Sequence, residues 1–381
     1  MVVEEVLEEL MDKINILQFP IANTSGGITN YVLNNWRHID RDRFHFDFAT
    51  FSKKKLDFEE TLTSQGCKVH YLSCYAEENE ERFIEEMNHI LEEGYDVIHL
   101  HTSYWKSFLA EKLALRHRVP RIIVHAHSTM VDKADEKERL IAIRHHQEQK
   151  KLFHRGLATD YWACSEAAAD WLFGEQIPRE RIILMRNAID VRKFAFNLVL
   201  RRNYRQRLGL NDCLVLGHVG RFVHTKNHEF LIEVFRRVVS VYPQARLVLA
   251  GVGPMEEQIR QQVNDFGLGS SVIFLGARED VHGIMQAMDL FLLPSHFEGL
   301  GIVLIEAQAA GLHCLASDKV PYEAKITGNL DFLPLKEEAW YAWVRQNAEK
   351  YHRGQTEEPI TAAGYNIVSE IKRLEEGYGR S

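Results

Sequence analysis

The feature that most constrains this chain is a rhythm in which short apolar runs are each followed by a longer amphipathic stretch. Apolar runs at Ile14–Phe19, Phe44–Phe51, Val69–Leu72, Val97–Leu100, Ile122–His125, Tyr161–Cys164 and Ile182–Met185 read as strands. Residues 28–38, 80–93 and about 105–117 carry helical spacing, with Phe83, Met87, Ile90 and Leu91 on one face of the second. The rhythm stops at the basic stretch Arg192–Arg207, which reads as a linker leading into a helix, and then restarts. Strands are expected at Leu214–Val219, Ala245–Ala250, Val272–Leu275, Leu290–Pro294 and His313–Ala316. Helices are expected at Glu229–Val241, Met255–Phe266, Val281–Met288 and Ile302–Ala310. Alternating strands and helices imply parallel sheet with helices on both faces. The expectation is an α/β protein of two doubly wound, Rossmann-like domains, at residues 1–190 and 191–360, with a helical 361–381 crossing back onto the first. A length of 381 residues suits two domains. Open sheets of this type bind ligands beyond the carboxyl ends of their strands, and two such sheets can enclose a central cleft.

Charge and composition exclude other classes. Lys and Arg total 46 against 54 Asp and Glu, a net charge of −8, which argues against a nucleic-acid partner. Five dispersed Cys without a C-x-x-C pair point to reduced thiols and the cytoplasm. No run of about 18 uncharged apolar residues is present to span a bilayer. The segment MVVEEVLEEL has four Glu and no basic n-region, so it does not read as a secretory signal, and residues 1–10 are assigned no function.

The strongest motif runs from His296 to Ala307 and sets Glu298 and Glu306 eight residues apart. Glu298 stands on the turn Glu298-Gly299-Leu300-Gly301 after an apolar strand, and Glu306 lies in the helix that follows. Gly299 and Gly301 let backbone approach a ligand, and amides at a helix start can hold phosphate. A carboxylate such as Glu306 can accept hydrogen bonds from a ribose diol. By their spacing alone, the two Glu would read as a solvated helix face. A second motif, Gly220-Arg221-Phe222-Val223-His224-Thr225-Lys226-Asn227, follows the strand Leu214–Val219. Arg221 as a fork and Lys226 as a point charge can clamp a diphosphate and stabilise it as it departs. Gly26-Gly27 and Gly251-Val252-Gly253 each follow a strand and bring backbone N–H groups forward, although neither is a dinucleotide fingerprint. Among 19 His, His99 with His101 and His125 with His127 stand at strand ends. His127 is a candidate polar contact to sugar hydroxyls or a general base, and a metal is not indicated. Residues 139–155 combine Arg139, Arg144, Lys150, Lys151 and Arg155 with Leu140, Ile141, Ile143, Leu152 and Phe153. That pattern suits a solvated helix or one resting on an anionic membrane surface.

Taken together, Gly26-Gly27, Gly220-Arg221 with Lys226, and Glu298 with Glu306 resemble the GT-B glycosyltransferases of family 4. Ile98-His99-Leu100-His101, Asn187-Ala188-Ile189-Asp190 and Gly251-Val252-Gly253-Pro254 support the resemblance, which extends over about residues 13–375. In His125-Ala126-His127-Ser128 and Val320–Leu335 the chain is most similar to bacterial exopolysaccharide and capsule enzymes. The resemblance implies a retaining transfer from a nucleotide sugar, expected to be UDP-linked, to a glycan or polyprenyl-diphosphate-linked acceptor. It implies no metal and no other cofactor, and an enzyme peripheral on the inner face of the cell membrane. By position, Arg221 and Lys226 would hold the diphosphate, and Glu306 the ribose. Glu298, with Gly299, Leu300 and Gly301, would meet the donor sugar. Gly26 and Gly27 would approach the phosphate, Gly253 would line the donor site, and His127 would meet the sugar near the reacting centre. The loop Gly276-Ala277-Arg278 would touch the base. His313 stands where the family commonly has Pro, and Asn187-Ala188 replaces the commoner Asn-Gly. A UDP-sugar 2-epimerase of the same fold and a non-catalytic nucleotide-sugar-binding protein are the alternatives.

Overall fold

The computed structural model describes residues 13–23, 26–348 and 353–379, so the segment 1–10 lies outside the described residues. The chain divides into two compact units. One gathers the described residues of Met1–Thr129, Ile141–Arg186 and Ile367–Ser381, and the other Met130–Leu140 and Asn187–Asn366.

The first unit is built on a parallel sheet of strands β1 (Ile14–Ile21), β2 (Phe44–Thr50), β3 (Val69–Tyr71), β4 (Val97–Thr102), β5 (Arg121–Ala126), β6 (Asp160–Ala163) and β7 (Ile182–Leu184). Their order is β3-β2-β1-β4-β5-β6-β7, so β1 and β4 lie side by side where the winding reverses. Buried strands such as Arg121–Ala126 carry an unbroken apolar stretch, here Ile122–Val124, because helices cover both sheet faces. The core joins Ile16, Phe44, Phe46 and Phe48 to Trp36 of the helix Gly27–His38, and to Ile371, Leu374 and Tyr378 of the helix Ile367–Gly379.

The second unit repeats the plan with β8 (Val215–Val219), β9 (Arg246–Ala250), β10 (Val272–Phe274), β11 (Leu290–Leu293), β12 (His313–Ser317) and β13 (Leu330–Leu333), in the parallel order β10-β9-β8-β11-β12-β13. Its core packs Leu216, Leu247, Leu249, Leu290 and Leu292 against Leu231, Phe235 and Trp340. The edge strand β13 escapes the periodicity because only Leu330 of its four residues is buried.

The stretch Arg192–Arg207 is not a linker. It forms the helices Val191–Phe194 and Leu198–Arg207, and its basic character has a local cause. Arg201 and Arg205 both pair with Asp289, at 2.5 and 3.2 Å, and Asp289 also accepts the Val215 N–H at 2.8 Å. The cations therefore tie this helix to the start of β8. All five cysteines are free thiols. Among the described residues, no helix is long and apolar enough to cross a membrane.

The basic stretch 139–155 belongs to a helix, Glu136–Leu152, that does not present one uniform face. Leu140, Ile141 and Leu152 are 58%, 60% and 63% exposed. His146, in contrast, is buried, Lys150 donates to the Asp170 carbonyl at 2.6 Å, and Phe153 packs flat on Trp105.

Candidate active site

In the second unit the loops at the carboxyl ends of β8, β9 and β10 are joined backbone to backbone. The Gly220 N–H donates to the Ala250 carbonyl at 3.0 Å, Phe222 N–H to Val252 at 3.1 Å, and Gly251 N–H to Gly276 at 2.8 Å. Two glycines make this approach feasible. A Cβ on Gly251, whose φ is +145°, would lie 2.0 Å from the Gly220 oxygen. A Cβ on Gly253 would lie 2.4 Å from the Phe222 oxygen. The Gly-x-Gly motif thus shapes the loop that carries Arg221 by packing against it. Arg221 itself is half-buried and, among the described residues, makes no ion pair.

The same loop ends in a 3-10 turn, His224–Lys226, closed by Asn227 in the left-handed region (φ +53°) ahead of the helix His228–Val241. Lys226 Nζ lies 2.5 Å from Glu298 Oε1, and that oxygen also accepts from Ser295 Oγ at 2.6 Å. Their side chains are only 19% and 11% exposed, so the pair sits where charge interactions are weakly screened. Backbone bonding fixes the pair: the His296 N–H donates to the Thr225 carbonyl at 2.8 Å, and the His224 and His296 rings stack at 4.5 Å. Thr225 Oγ1 donates to Asp132, which lies in the segment Met130–Leu140 of this unit. Ser295 directly flanks the His296–Ala307 motif, whereas Asp132 belongs to no spaced motif and carried no signal.

After Glu298 the chain turns through Gly299 and the buried Leu300 to Gly301. The φ of +83° at Gly301, just before the helix Ile302–Ala309, is one that glycine adopts without strain. Glu306 lies within this helix, half-buried. Burial pushes its carboxyl up to about 7 from 4.5, and Lys193 only partly offsets this. The Arg278 guanidinium grips Asp280 through two bonds, of 2.7 and 2.6 Å, and Asp280 also accepts from the Tyr204 hydroxyl at 2.8 Å. This fork holds the Asp280 carboxyl well below its usual range. The Arg278 side chain is therefore engaged within the protein.

In the first unit, Gly26 precedes the helix Gly27–His38, and no side chain caps that helix start. Among the described residues, a Cβ on Gly27 would meet nothing within 4 Å. The two His-x-His pairs lie on neighbouring strands in register, with His101 beside His125. Gln18 of β1 lies beside His99. With a period of two along each strand, these side chains share one face of the sheet. The His101–His127 and His99–His125 contacts are 3.0 and 3.1 Å. His127 is half-buried, and desolvation lowers its pKa from 6.5 to about 3. A base that weak has little power to remove a proton near neutral pH. His99, His101 and His125 bring one nitrogen each within 4.8 Å of one another, a spacing that a metal ion could use. Both nitrogens of His99 and His101 are, however, already hydrogen-bonded, to Tyr378 and His125 and to His127 and Gln18. The recurrence of His-x-His was the available signal for this array, but Gln18 and Tyr378 carried none.

Comparison with known proteins agrees with both halves of this arrangement. Residues 26–188 match the family described as Glycosyl transferase 4-like domain, and residues 201–336 match Glycosyl transferases group 1. The chain is 33% identical over 303 residues to the protein named "Putative glycosyltransferase EpsF" of Bacillus subtilis (strain 168), which covers 77% of each chain. It is 25% identical over 248 residues to UDP-Gal:alpha-D-GlcNAc-diphosphoundecaprenol alpha-1,3-galactosyltransferase of Escherichia coli, covering 59% of this chain and 58% of that one. Among solved structures, Anabaena HepE in complex with UDP-glucose superposes with a TM-score of 0.74 at 20% identity, covering 95% of this chain and 98% of that one. Sucrose-phosphate synthase from Thermosynechococcus elongatus gives 0.76 at 19% identity, covering 96% and 98%. Two parallel Rossmann-like sheets, two adjoining glycosyltransferase domain matches and a relative sharing a third of its residues over most of the chain lead to one conclusion: this protein belongs to the GT-B glycosyltransferases.

Proposed function

We propose that this glycosyltransferase moves a sugar from a UDP-sugar to a glycan or polyprenyl-diphosphate-linked acceptor in cell-surface polysaccharide synthesis, with retention at the anomeric carbon. The observation that carries the reading is the Lys226–Glu298 pair in the strand-end loops of the second unit, with Arg221 on the same loop as Lys226. Lys226 has three donors, so one ammonium can hold Glu298 and a phosphate oxygen together. Arg221, which has no carboxylate partner among the described residues, is available for the other phosphate. Glu298, oriented by Ser295 and Lys226, accepts from donor-sugar hydroxyls, with Gly299, Leu300 and Gly301 framing it. Base contact falls to the backbone around Gly276 and Ala277, since Arg278 is held by Asp280. Within the first unit, Gly26 and Gly27 present backbone that can meet a phosphate, and His127 a nitrogen that can accept from a sugar hydroxyl. The acceptor oxygen bonds to the anomeric carbon as the bond to the diphosphate breaks, and the acceptor proton passes to the leaving phosphate oxygen. Positive charge comes from Arg221 and Lys226, and the reading includes no metal. The names of the Escherichia coli galactosyltransferase and of HepE bound to UDP-glucose support a UDP donor, and the former a lipid-diphosphate acceptor.

A thermal-shift panel of UDP, GDP and ADP species, followed by UDP-release assays with lipid-linked acceptors, tests this. Stabilisation confined to UDP species and acceptor-dependent UDP release are expected. C2 epimerisation of the donor without acceptor, seen by NMR, would overturn transfer in favour of isomerisation.

Glu306 adds a pH signature. Ribose hydroxyls donating to its carboxylate favour the ionised form, so UDP binding lowers a pKa that stands at about 7 in the free protein. Protons are then released on binding below that pH, and affinity rises as pH climbs from about 5 toward 7 and levels off above it. Calorimetry at pH 6 in buffers of different ionisation enthalpy should show this release, and Glu306→Gln should abolish it. A pH-independent affinity in the unaltered protein would remove Glu306 from the ribose.

The exposed Leu140 and Ile141, beside Arg139 and Arg144, are also proposed to rest on an anionic membrane surface. Leu140→Asp is expected to weaken co-sedimentation with anionic vesicles by roughly tenfold, and equal sedimentation of both proteins would dismiss this contact.

A further inference from the structure

The polar side chains on the inner face of the first sheet form one unbroken hydrogen-bonded chain. Gln18 Nε2 donates to the Tyr378 hydroxyl at 3.0 Å, and that hydroxyl lies 2.7 Å from His99 Nδ1. His99 Nε2 lies 3.1 Å from His125 Nδ1. On the other side, Gln18 Oε1 lies 2.8 Å from His101 Nε2, and His101 Nδ1 lies 3.0 Å from His127 Nε2. The two ends, His125 Nε2 and His127 Nδ1, are buried without a hydrogen-bond partner. Tyr31 closes over the array edge-on to His125 at 5.2 Å, and Trp162 edge-on to His99 at 5.0 Å.

Burial lowers the pKa of all four imidazoles, so each is neutral near pH 7 and carries a single ring proton. In such a chain one choice fixes all the others. Tyr378 receives the Gln18 amide proton and gives its own proton to His99 Nδ1. His99 is then protonated at Nε2 and donates to His125 Nδ1, which leaves the His125 proton on Nε2. Gln18 Oε1 can only accept, so His101 is protonated at Nε2 and its bare Nδ1 accepts from His127 Nε2–H. Rotating the Gln18 amide by half a turn reverses every proton. The structure turns the Gln18 amide with its nitrogen toward the Tyr378 hydroxyl and its oxygen toward His101, which selects the first of these two states.

We infer that Gln18 and Tyr378 are positioning residues that lock His127 as its Nε2–H tautomer, leaving Nδ1 as a bare acceptor for a ligand hydroxyl. The inference rests on the proposed contact between His127 and a donor-sugar hydroxyl for its consequence, but not for the tautomer itself. It also gives the helix Ile367–Gly379 a role in the site, through a bond spanning 360 residues of sequence.

The test uses the full-length protein labelled with 15N at histidine, read by long-range proton–nitrogen correlation. The unaltered protein should show His127 protonated at Nε2 alone. Tyr378→Phe removes the link that sets the Gln18 amide, so His127 should become a mixture of tautomers. Its kcat should fall about tenfold while the UDP dissociation constant stays unchanged. Gln18→Leu should mix the tautomers as well. Gln18→Glu should keep the Nε2–H form, because a carboxyl oxygen still accepts from His101. A His127 protonated at Nδ1 in the unaltered protein, or a tautomer unmoved in Tyr378→Phe, overturns the relay. Tautomers that shift with kcat unchanged would instead overturn the sugar contact of His127 and leave the relay standing.

Discussion

Replacing Lys226 with Ala should lower kcat by about 10²–10³-fold, the usual loss when one donor to developing negative charge is removed from a preorganised site. The structure explains why so much would rest on one ammonium. Lys226 is held 2.5 Å from Glu298 within a loop fixed by the Thr225–His296 and Thr225–Asp132 bonds, so little reorganisation is needed when a diphosphate arrives. Removing it also takes away the ammonium held 2.5 Å from Glu298, while Ser295 Oγ still donates to the same carboxylate oxygen. Part of the loss should therefore appear as misplacement of Glu298. A double-mutant cycle separates the two effects. Lys226→Ala and Glu298→Ala should each cost a large factor, and the double variant should cost clearly less than their product, because the residues act as one unit. Steady-state kinetics with a UDP-sugar donor give the measurement, with thermal unfolding run beside it to show that the fold is intact. Turnover within threefold of the unaltered protein in a folded Lys226→Ala variant would take Lys226 out of the reaction.

The largest effect on stability should come from Gly251→Ala. The added Cβ would lie 2.0 Å from the Gly220 carbonyl oxygen, a backbone atom that cannot swing aside as a side-chain tip can. The φ of +145° is also one that residues with a Cβ rarely adopt. Steric overpacking and backbone strain of this sort each cost about 1–3 kcal/mol, so a loss of about 4 kcal/mol is expected from denaturant unfolding. The relief available to the chain is to part the loops after β8 and β9. That movement would displace Arg221, so UDP affinity should fall in whatever fraction remains folded. A stability change under about 1 kcal/mol would mean that the loops are not packed as described.

The two sheets were readable from residues because buried parallel strands are written as uninterrupted apolar runs, as at Ile122–Val124 and Leu290–Leu293. Strand β13 was not, since only Leu330 of it is buried. The basic run Arg192–Arg207 misled because clustered cations look like a solvated linker. Arg201 and Arg205 are instead satisfied by Asp289, more than eighty residues away in sequence. In the candidate site the motif residues Arg221, Lys226, Glu298 and Glu306 were legible from loop chemistry and spacing. Asp132, Gln18 and Tyr378 were not, because each gains meaning only from an atom it meets in space.

The sequence by itself determined the fold class, the family resemblance and the motif carboxylates and cations in the strand-end loops of the second unit. These depend on periodicity and on short-range spacing, which a linear chain displays directly. Only the tertiary structure decided that Lys226 and Glu298 hold each other, that Arg278 is occupied by Asp280, and that Glu306 and His127 are desolvated enough to shift their protonation. It also joined Gln18 and Tyr378 to the histidines. Hydrogen bonds reach about 3 Å and desolvation depends on what surrounds a group, so both are set by neighbours that folding brings together and that no local stretch of sequence records.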